Sequence, residues 1–189
     1  MSIEEAGGAV REVGSVVALV AAVGDTAVDT IVLLERYSPF SLNRPLVLSR
    51  NVTIVAEAGA RATLNASASA EAPRRVLLVG GAGTVVRLRS VDVTGGFVNG
   101  TGAWGGGVRV QGGSTLLLDD CGVRGNVMRA AGSDTAAGGG IAILPGSAAV
   151  LTETLVEGNE AASDRGPALG GGVFNFNRAG RGKRSSGGC

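Results

Sequence analysis

Between residues 105 and 173 the apolar positions come in alternating pairs. Val108 and Val110 form one pair, Leu116 and Leu118 a second, Cys121 and Val123 a third. The order returns as Ile141 and Ile143, Ala149 and Leu151, Thr154 and Val156. Glycine punctuates it. Gly105-Gly-Gly107 recurs as Gly138-Gly-Gly140 and starts again at Gly170, and Val123-Arg-Gly-Asn126 recurs as Val156-Glu-Gly-Asn159. Period-two alternation in short runs between glycines specifies strands, because successive strand side chains point to opposite faces. Three strands with a turn after each make one rung of a coil. A lone rung cannot bury its inner face, but stacked rungs can, each inward side chain landing on its equivalent. The expected fold is all-β: a parallel β-helix of about four rungs spanning residues 30–176.

The earlier chain fits this plan less regularly. Ser15 is placed to cap a short helix whose apolar side is Val16, Val17, Val20 and Val23, ending at Gly24. Such a helix can cover the open apolar end of the first rung. Asp29–Leu34 reads as the first strand. Leu46–Leu48 and Asn51–Val55 close rung one, and Val76–Val79, Val85–Leu88 and Val91–Val93 form rung two. Aligning Arg50–Ile54 with Arg89–Val93, Asp119–Val123 and Thr152–Val156 offsets the middle strand of rung one by a residue, which predicts a bulge or slip there. Ala56–Arg75 is an Ala/Ser-rich insertion. The expected organisation is a flexible N-terminus at 1–14, a β-helix domain at 15–176 that is incomplete at its C-terminal end, and a disordered basic Gly/Ser tail at 177–189.

The GGG-[VI] and V-x-x-N pairs resemble the GGA[ILV] and FxxN repeats of chlamydial polymorphic membrane proteins, with Gly for Ala in the first motif and Val for Phe in the second. More widely, the coil resembles right-handed parallel β-helices of the pectin lyase-like kind, in which a helix leading into a strand such as Asp29-Thr-Ile-Val-Leu33 forms the N-terminal cap. The resemblance implies a surface or secreted protein, adhesin-like or matrix-like.

Composition agrees with many tight turns around a thin aliphatic core: 33 of 189 residues are glycine and only 3% are aromatic, against a usual glycine share of about 7%. The net charge is +1, but Arg178, Arg181, Lys183 and Arg184 lie together in the tail. The rest is mildly acidic and offers no basic footprint for nucleic acid. No apolar run is long enough for a membrane span. Glu4 and Glu5 have the wrong sign for a signal peptide, although an extracellular or cell-surface location fits the repeats. There is no histidine and no CxxC, so zinc and cofactors are not expected. Cys121 is expected inward as a small apolar group.

Candidate chemistry is sparse. Asp119 and Asp120, with Asp92 and Glu153 near, form the one acidic group of the repeats. In the resembling polysaccharide lyases and hydrolases, strand-borne acids bind calcium or act as acid and base. Here adjacent strand residues diverge, and the hydrolase histidine is absent. Solvated surface acids are the preferred interpretation, with Asp120 and Glu153 as weak calcium candidates. Stacked, those two repel each other and either splay into water or hold a cation. Arg89 is expected over Asp119, and Arg124 over Glu157. Gly100–Gly105 fits GxGxxG but precedes a strand, not a helix, so it is a glycine-rich loop. Asn126 and Asn159 are expected to stack as a two-rung ladder, with Gly96 in the equivalent place of rung two. Asn51, Asn65 and Asn99 head N-x-[ST] sequons.

Phe97–Trp104, Val127–Ala137 and Glu160–Leu169 all fall between the third strand of one rung and the GGG of the next. They should project from one edge, with Phe97, Asn99, Trp104, Arg129, Asp134, Asp164 and Arg165 as binding-edge residues for a glycan or protein. Trp104 sits beside Phe97 in this scheme. The expected function is a non-catalytic β-helix module that presents these loops. The alternatives are a polysaccharide lyase or hydrolase, or a remnant of one, and a fragment of a longer β-helix. Ile141, Ile143, Leu151 and Val156 should be exposed at the C-terminal side, where Val173–Phe176 covers one strand of three, so self-association through that end is expected.

Overall fold

The computed structural model describes residues 8–177. The tail expected at 177–189 therefore lies outside the described residues except for Asn177, as do residues 1–7. The chain opens with β1 (Ala9–Val13), α1 (Val16–Gly24), β2 (Val28–Leu33), a 3-10 turn at Glu35–Tyr37 and β3 (Phe40–Ser41). Rung one is β4 (Leu46–Leu48), β5 (Val52–Ala56) and β6 (Ala62–Asn65). Rung two is β7 (Leu77–Val79), β8 (Val85–Arg89), β9 (Val91–Thr94) and β10 (Phe97–Asn99). Rung three is β11 (Val108–Val110), β12 (Thr115–Asp119), β13 (Gly122–Arg124), β14 (Val127–Ala130) and β15 (Ala136–Ala137). Rung four is β16 (Ile141–Ile143), β17 (Ala148–Thr152), β18 (Leu155–Glu157), β19 (Glu160–Ser163) and β20 (Ala168–Leu169), and β21 (Val173–Asn175) follows.

These strands stack into three parallel walls of a β-solenoid of about four turns. Wall one runs β4-β7-β11-β16-β21, wall two β1-β2-β5-β8-β12-β17, and wall three β3-β6-β9-β13-β18. The sequence dictates this because the inward positions form unbroken aliphatic columns. In wall two, Ile31, Ile54, Leu88, Leu118 and Leu151 are successive partners. In wall three the column is Leu64, Val93, Val123 and Val156. Leu88 and Val123 are fully buried, and each such side chain contributes about 1.5–3 kcal/mol. Val91 and Cys121 are buried as expected, and burial pushes the Cys121 thiol pKa up. Thr154 stands next in their column, its hydroxyl accepting from the Cys121 N–H at 3.3 Å.

Several expectations are corrected. The N-terminal segment is not wholly loose: Ala9–Val13 is a strand paired in parallel with β2. Ser15 does cap α1, its hydroxyl accepting from the Ala18 N–H at 3.1 Å. Val16, Val20 and Val23 pack against the core as expected, joined by the fully buried Leu19 and Ala22, but Val17 is 81% exposed. The expected slip in rung one does not occur. Val52 pairs with Val86, not Val91, so β5 belongs to wall two. The wall-three strand of rung one is β6, inside the supposed insertion, with Ala62 opposite Val91 and Leu64 opposite Val93. Its inward residues are one alanine and one leucine, too faint an alternation to stand out.

Candidate functional site

The three segments expected as loops are a side lobe with its own structure. β10, β14 and β19 form a parallel three-stranded sheet, and β15 pairs with β20. Val98, Met128, Ala130 and Ala136 fill a small separate core, with Ala103 and Ala161 packed on it. The segments do project together, but as stacked strands rather than free loops. A few small apolar side chains are enough to order them, because each turn has a neighbour to bury them against.

A narrow neck joins the lobe to the coil. Asn126 is fully buried. Its Oδ1 accepts from the Gly96 N–H at 2.9 Å, and its Nδ2 donates to the Val93 carbonyl and to Asn159 Oδ1, both at 3.0 Å. The Asn126 N–H also donates to Asn159 Oδ1 at 3.0 Å. The expected ladder is therefore present, with Gly96 as its first step. Where the chain returns to wall one, the triple glycines stack on one another in the bends before β11, β16 and β21. Gly106 N–H donates to the Gly138 carbonyl at 3.1 Å, and Gly140 N–H to that of Gly171 at 2.9 Å. Only glycine fits: a Cβ on Gly106 would stand 2.4 Å from the Val127 carbonyl oxygen, and one on Gly139 would stand 2.2 Å from that of Glu160.

A groove of about 450 Å³ crosses the lobe. It brings together Phe97, Asn99, Arg129 and Asp164, beside Ala70 of the segment joining β6 to β7. Arg129 lies 6.0 Å from the centre of the Phe97 ring, and its guanidinium is 3.5 Å from Glu160. The other expected edge residues lie elsewhere. Asp134 accepts from the Thr101 hydroxyl. Arg165 is exposed, and its backbone N–H donates to the Gly132 carbonyl.

Trp104 does not pair with Phe97. Its ring packs 4.6 Å from Phe176, which packs 4.6 Å from Phe174. Arg109 stands 6.0 Å from the Trp104 ring, and its buried Nε has no hydrogen-bond partner among the described residues. Beneath, Arg75 donates to the carbonyls of Ala103, Trp104 and Gly105. Burial, with Arg109 nearby, lowers the Arg75 pKa to about 10, so it remains charged at neutral pH. Sequence pattern missed this patch because its members come from three separate segments.

The acidic group is resolved by arginines. Ser90, Asp120 and Glu153 occupy one corner of successive rungs, with φ of 54, 50 and 49°. This left-handed conformation is uncommon outside glycine and turns the chain sharply from wall two to wall three. Asp120 accepts from Ser90 at 2.8 Å and pairs with Arg61, which also holds Asp92 at 2.9 Å. The Ser90 hydroxyl and the Arg61 guanidinium hold the Asp120 carboxyl below its usual range. Asp119 pairs with Arg89 at 3.1 Å, and Glu157 with Arg124 at 3.2 Å, as expected from the stacking. The cation at Asp120 is thus a guanidinium from rung one. Glu153 is exposed, and no cluster of three metal-ligating side chains occurs among the described residues.

The sequon asparagines differ. Asn51 and Asn99 are exposed and Asn65 is half-buried; Asn51 Oδ1 accepts from the Val85 N–H and Asn65 Oδ1 from the Ser67 N–H, and Asn99 lines the groove. No helix among the described residues is long and apolar enough to cross a membrane. Comparison with known protein families, with curated proteins and with solved structures finds no match to the chain.

Proposed function

We propose that the chain is a non-catalytic β-helix module, surface- or matrix-like, that uses the coil to hold the side lobe rigid and the lobe to bind a glycan. The supporting observation is the groove itself: Phe97 and Asn99, Arg129, and Asp164 come from three successive turns and line one concavity. An aromatic ring beside a guanidinium, a carboxamide and a carboxylate offers stacking and hydrogen bonding together, which suits a saccharide. The groove's size falls within the range of small-ligand sites. Pectin lyase-like kinship and an extracellular setting are parts of this proposal, resting on the repeats and the coil.

The occupied acids fit a binding role better than a hydrolytic one. A general acid must hold a proton near neutral pH, and Asp120 is held deprotonated by Ser90 and Arg61. The test uses the purified chain on immobilised neutral and acidic oligosaccharides, with and without calcium. Binding without release of shorter sugars is expected, weakened about tenfold in Phe97→Ala or Arg129→Ala. Calcium-dependent cleavage would overturn the proposal, as would binding that survives both substitutions. Capture of a surface protein instead of any glycan would move the lobe to protein recognition.

A further inference from the structure

Rung four presents an unfinished copy of the contacts that join the earlier rungs. Leu118 and Val123 of rung three are buried by the rung that follows, whereas Leu151 and Val156 in the same columns are only half-buried. Wall one is different. β21 lies on β16, so Ile141 and Ile143 are buried rather than exposed as expected, and Asn175 ends that column with a polar residue. Among the described residues wall one also ends on an edge strand, β21, with Val173 38% exposed. The inward columns left half-covered by the absence of a following strand, however, are those of walls two and three, on β17 and β18, beside the lobe edge at β19.

Polar groups there repeat the rung-to-rung pattern as well. Gly96 N–H and Asn126 N–H each donate to the asparagine carboxamide one rung on. Asn159 takes the same position, and its N–H finds no such acceptor among the described residues. Charge also has a sense. Glu157 and Glu160 face Arg124 and Arg129 of rung three, but Glu153 has no ion-pair partner among the described residues, while Asp120 above it has Arg61.

We propose that this end docks one further β-rung of the same repeat type, carrying apolar side chains over Leu151 and Val156, an asparagine over Asn159 and a basic residue over Glu153. It continues the interface that already joins rungs three and four. A second copy of the chain fits less well. Two C-terminal ends would bring two acidic edges, each carrying Glu153, Glu157, Glu160 and Asp164, against one another. At the N-terminal end Arg11 occupies the inward column opposite Ile31 and pairs with Asp25 at 2.8 Å, so docking there would bury that pair under Leu151. Inward charge of this kind guards an edge.

The probe is a fluorescent peptide of residues 113–131, under reducing conditions, in its native form and with Asp120→Arg. In register it sets Leu118 over Leu151, Val123 over Val156, Asn126 over Asn159 and residue 120 over Glu153. The Asp120→Arg peptide should bind the full chain saturably, about fivefold tighter than the native peptide. The chain variant Glu153→Arg, whose new side chain faces its own Asp120, should reverse that order. Leu151→Asp should weaken both peptides about tenfold. Absence of saturable binding, or equal affinities that the charge swap does not reorder, would overturn the proposal. So would a dimer in sedimentation that neither peptide dissociates, because a second copy would then hold the end.

Discussion

At the N-terminal end α1 lies against the coil with Leu19 and Ala22 fully buried, and Arg50 of the β4–β5 turn donates to the carbonyls of Ala22 and Val23 at 2.9 and 2.8 Å. The helix's first turn is satisfied by Ser15 and its last by that guanidinium, so the element closing the coil leaves few backbone groups unmet. At the C-terminal end Leu151 and Val156 stay half-buried and the edges of walls two and three have no strand beyond them among the described residues. An apolar side chain thus has different energetic weight at the helix-capped end and at the open end. A stacked repeat gains its stability from two neighbours, and an end position without a cap gains from one.

The largest expected effect uses the same substitution at both ends. Leu19→Ala should cost about 3 kcal/mol and Leu151→Ala about 1 kcal/mol in urea unfolding, because a half-buried side chain loses less contact and leaves less cavity. Equal costs would mean that the C-terminal end is covered. Asparagine gives the next contrast. Asn126→Ala strands the Gly96 N–H and the Val93 carbonyl in a buried neck and should cost about 2 kcal/mol. Asn159→Ala, a ladder step nearer the open end, should cost about 1 kcal/mol. A docked rung should draw the two values together.

The smallest effect concerns the corner. The Asp120 carboxyl has a lowered pKa, from Ser90 first and then Arg61. A depressed carboxyl adds stability that is present above its unfolded value and lost as pH falls through the folded one. The acid limb below about pH 4 should therefore be shallower in Asp120→Asn than in the unmodified chain. Denaturant midpoints between neutral and acid pH measure this. Identical acid limbs would show that the Arg61 pair is too solvated to matter.

The regular half of the molecule was legible as pattern. Leu116, Leu118, Cys121 and Val123, echoed at 149, 151, 154 and 156, determine three-walled rungs, because a two-residue period leaves only one face to bury and a fixed repeat leaves only one place to bury it. Asn126 and the triple glycines were legible as a recurring turn. Ser15 was legible as a cap because the hydroxyl acts on its own neighbours. Tertiary structure decided the rest. β6 carries only Ala62 and Leu64 inward, so its membership of wall three depends on β9 beside it and not on any signal of its own. The lobe became a sheet because Val98, Met128 and Ala130 bury one another across turns. Arg61 reaches Asp120 across an intervening rung, and Trp104 meets Phe176 rather than Phe97. Local sequence fixes the strand period and the caps, whereas contacts between residues far apart along the chain exist only once the coil has set its rungs one above another.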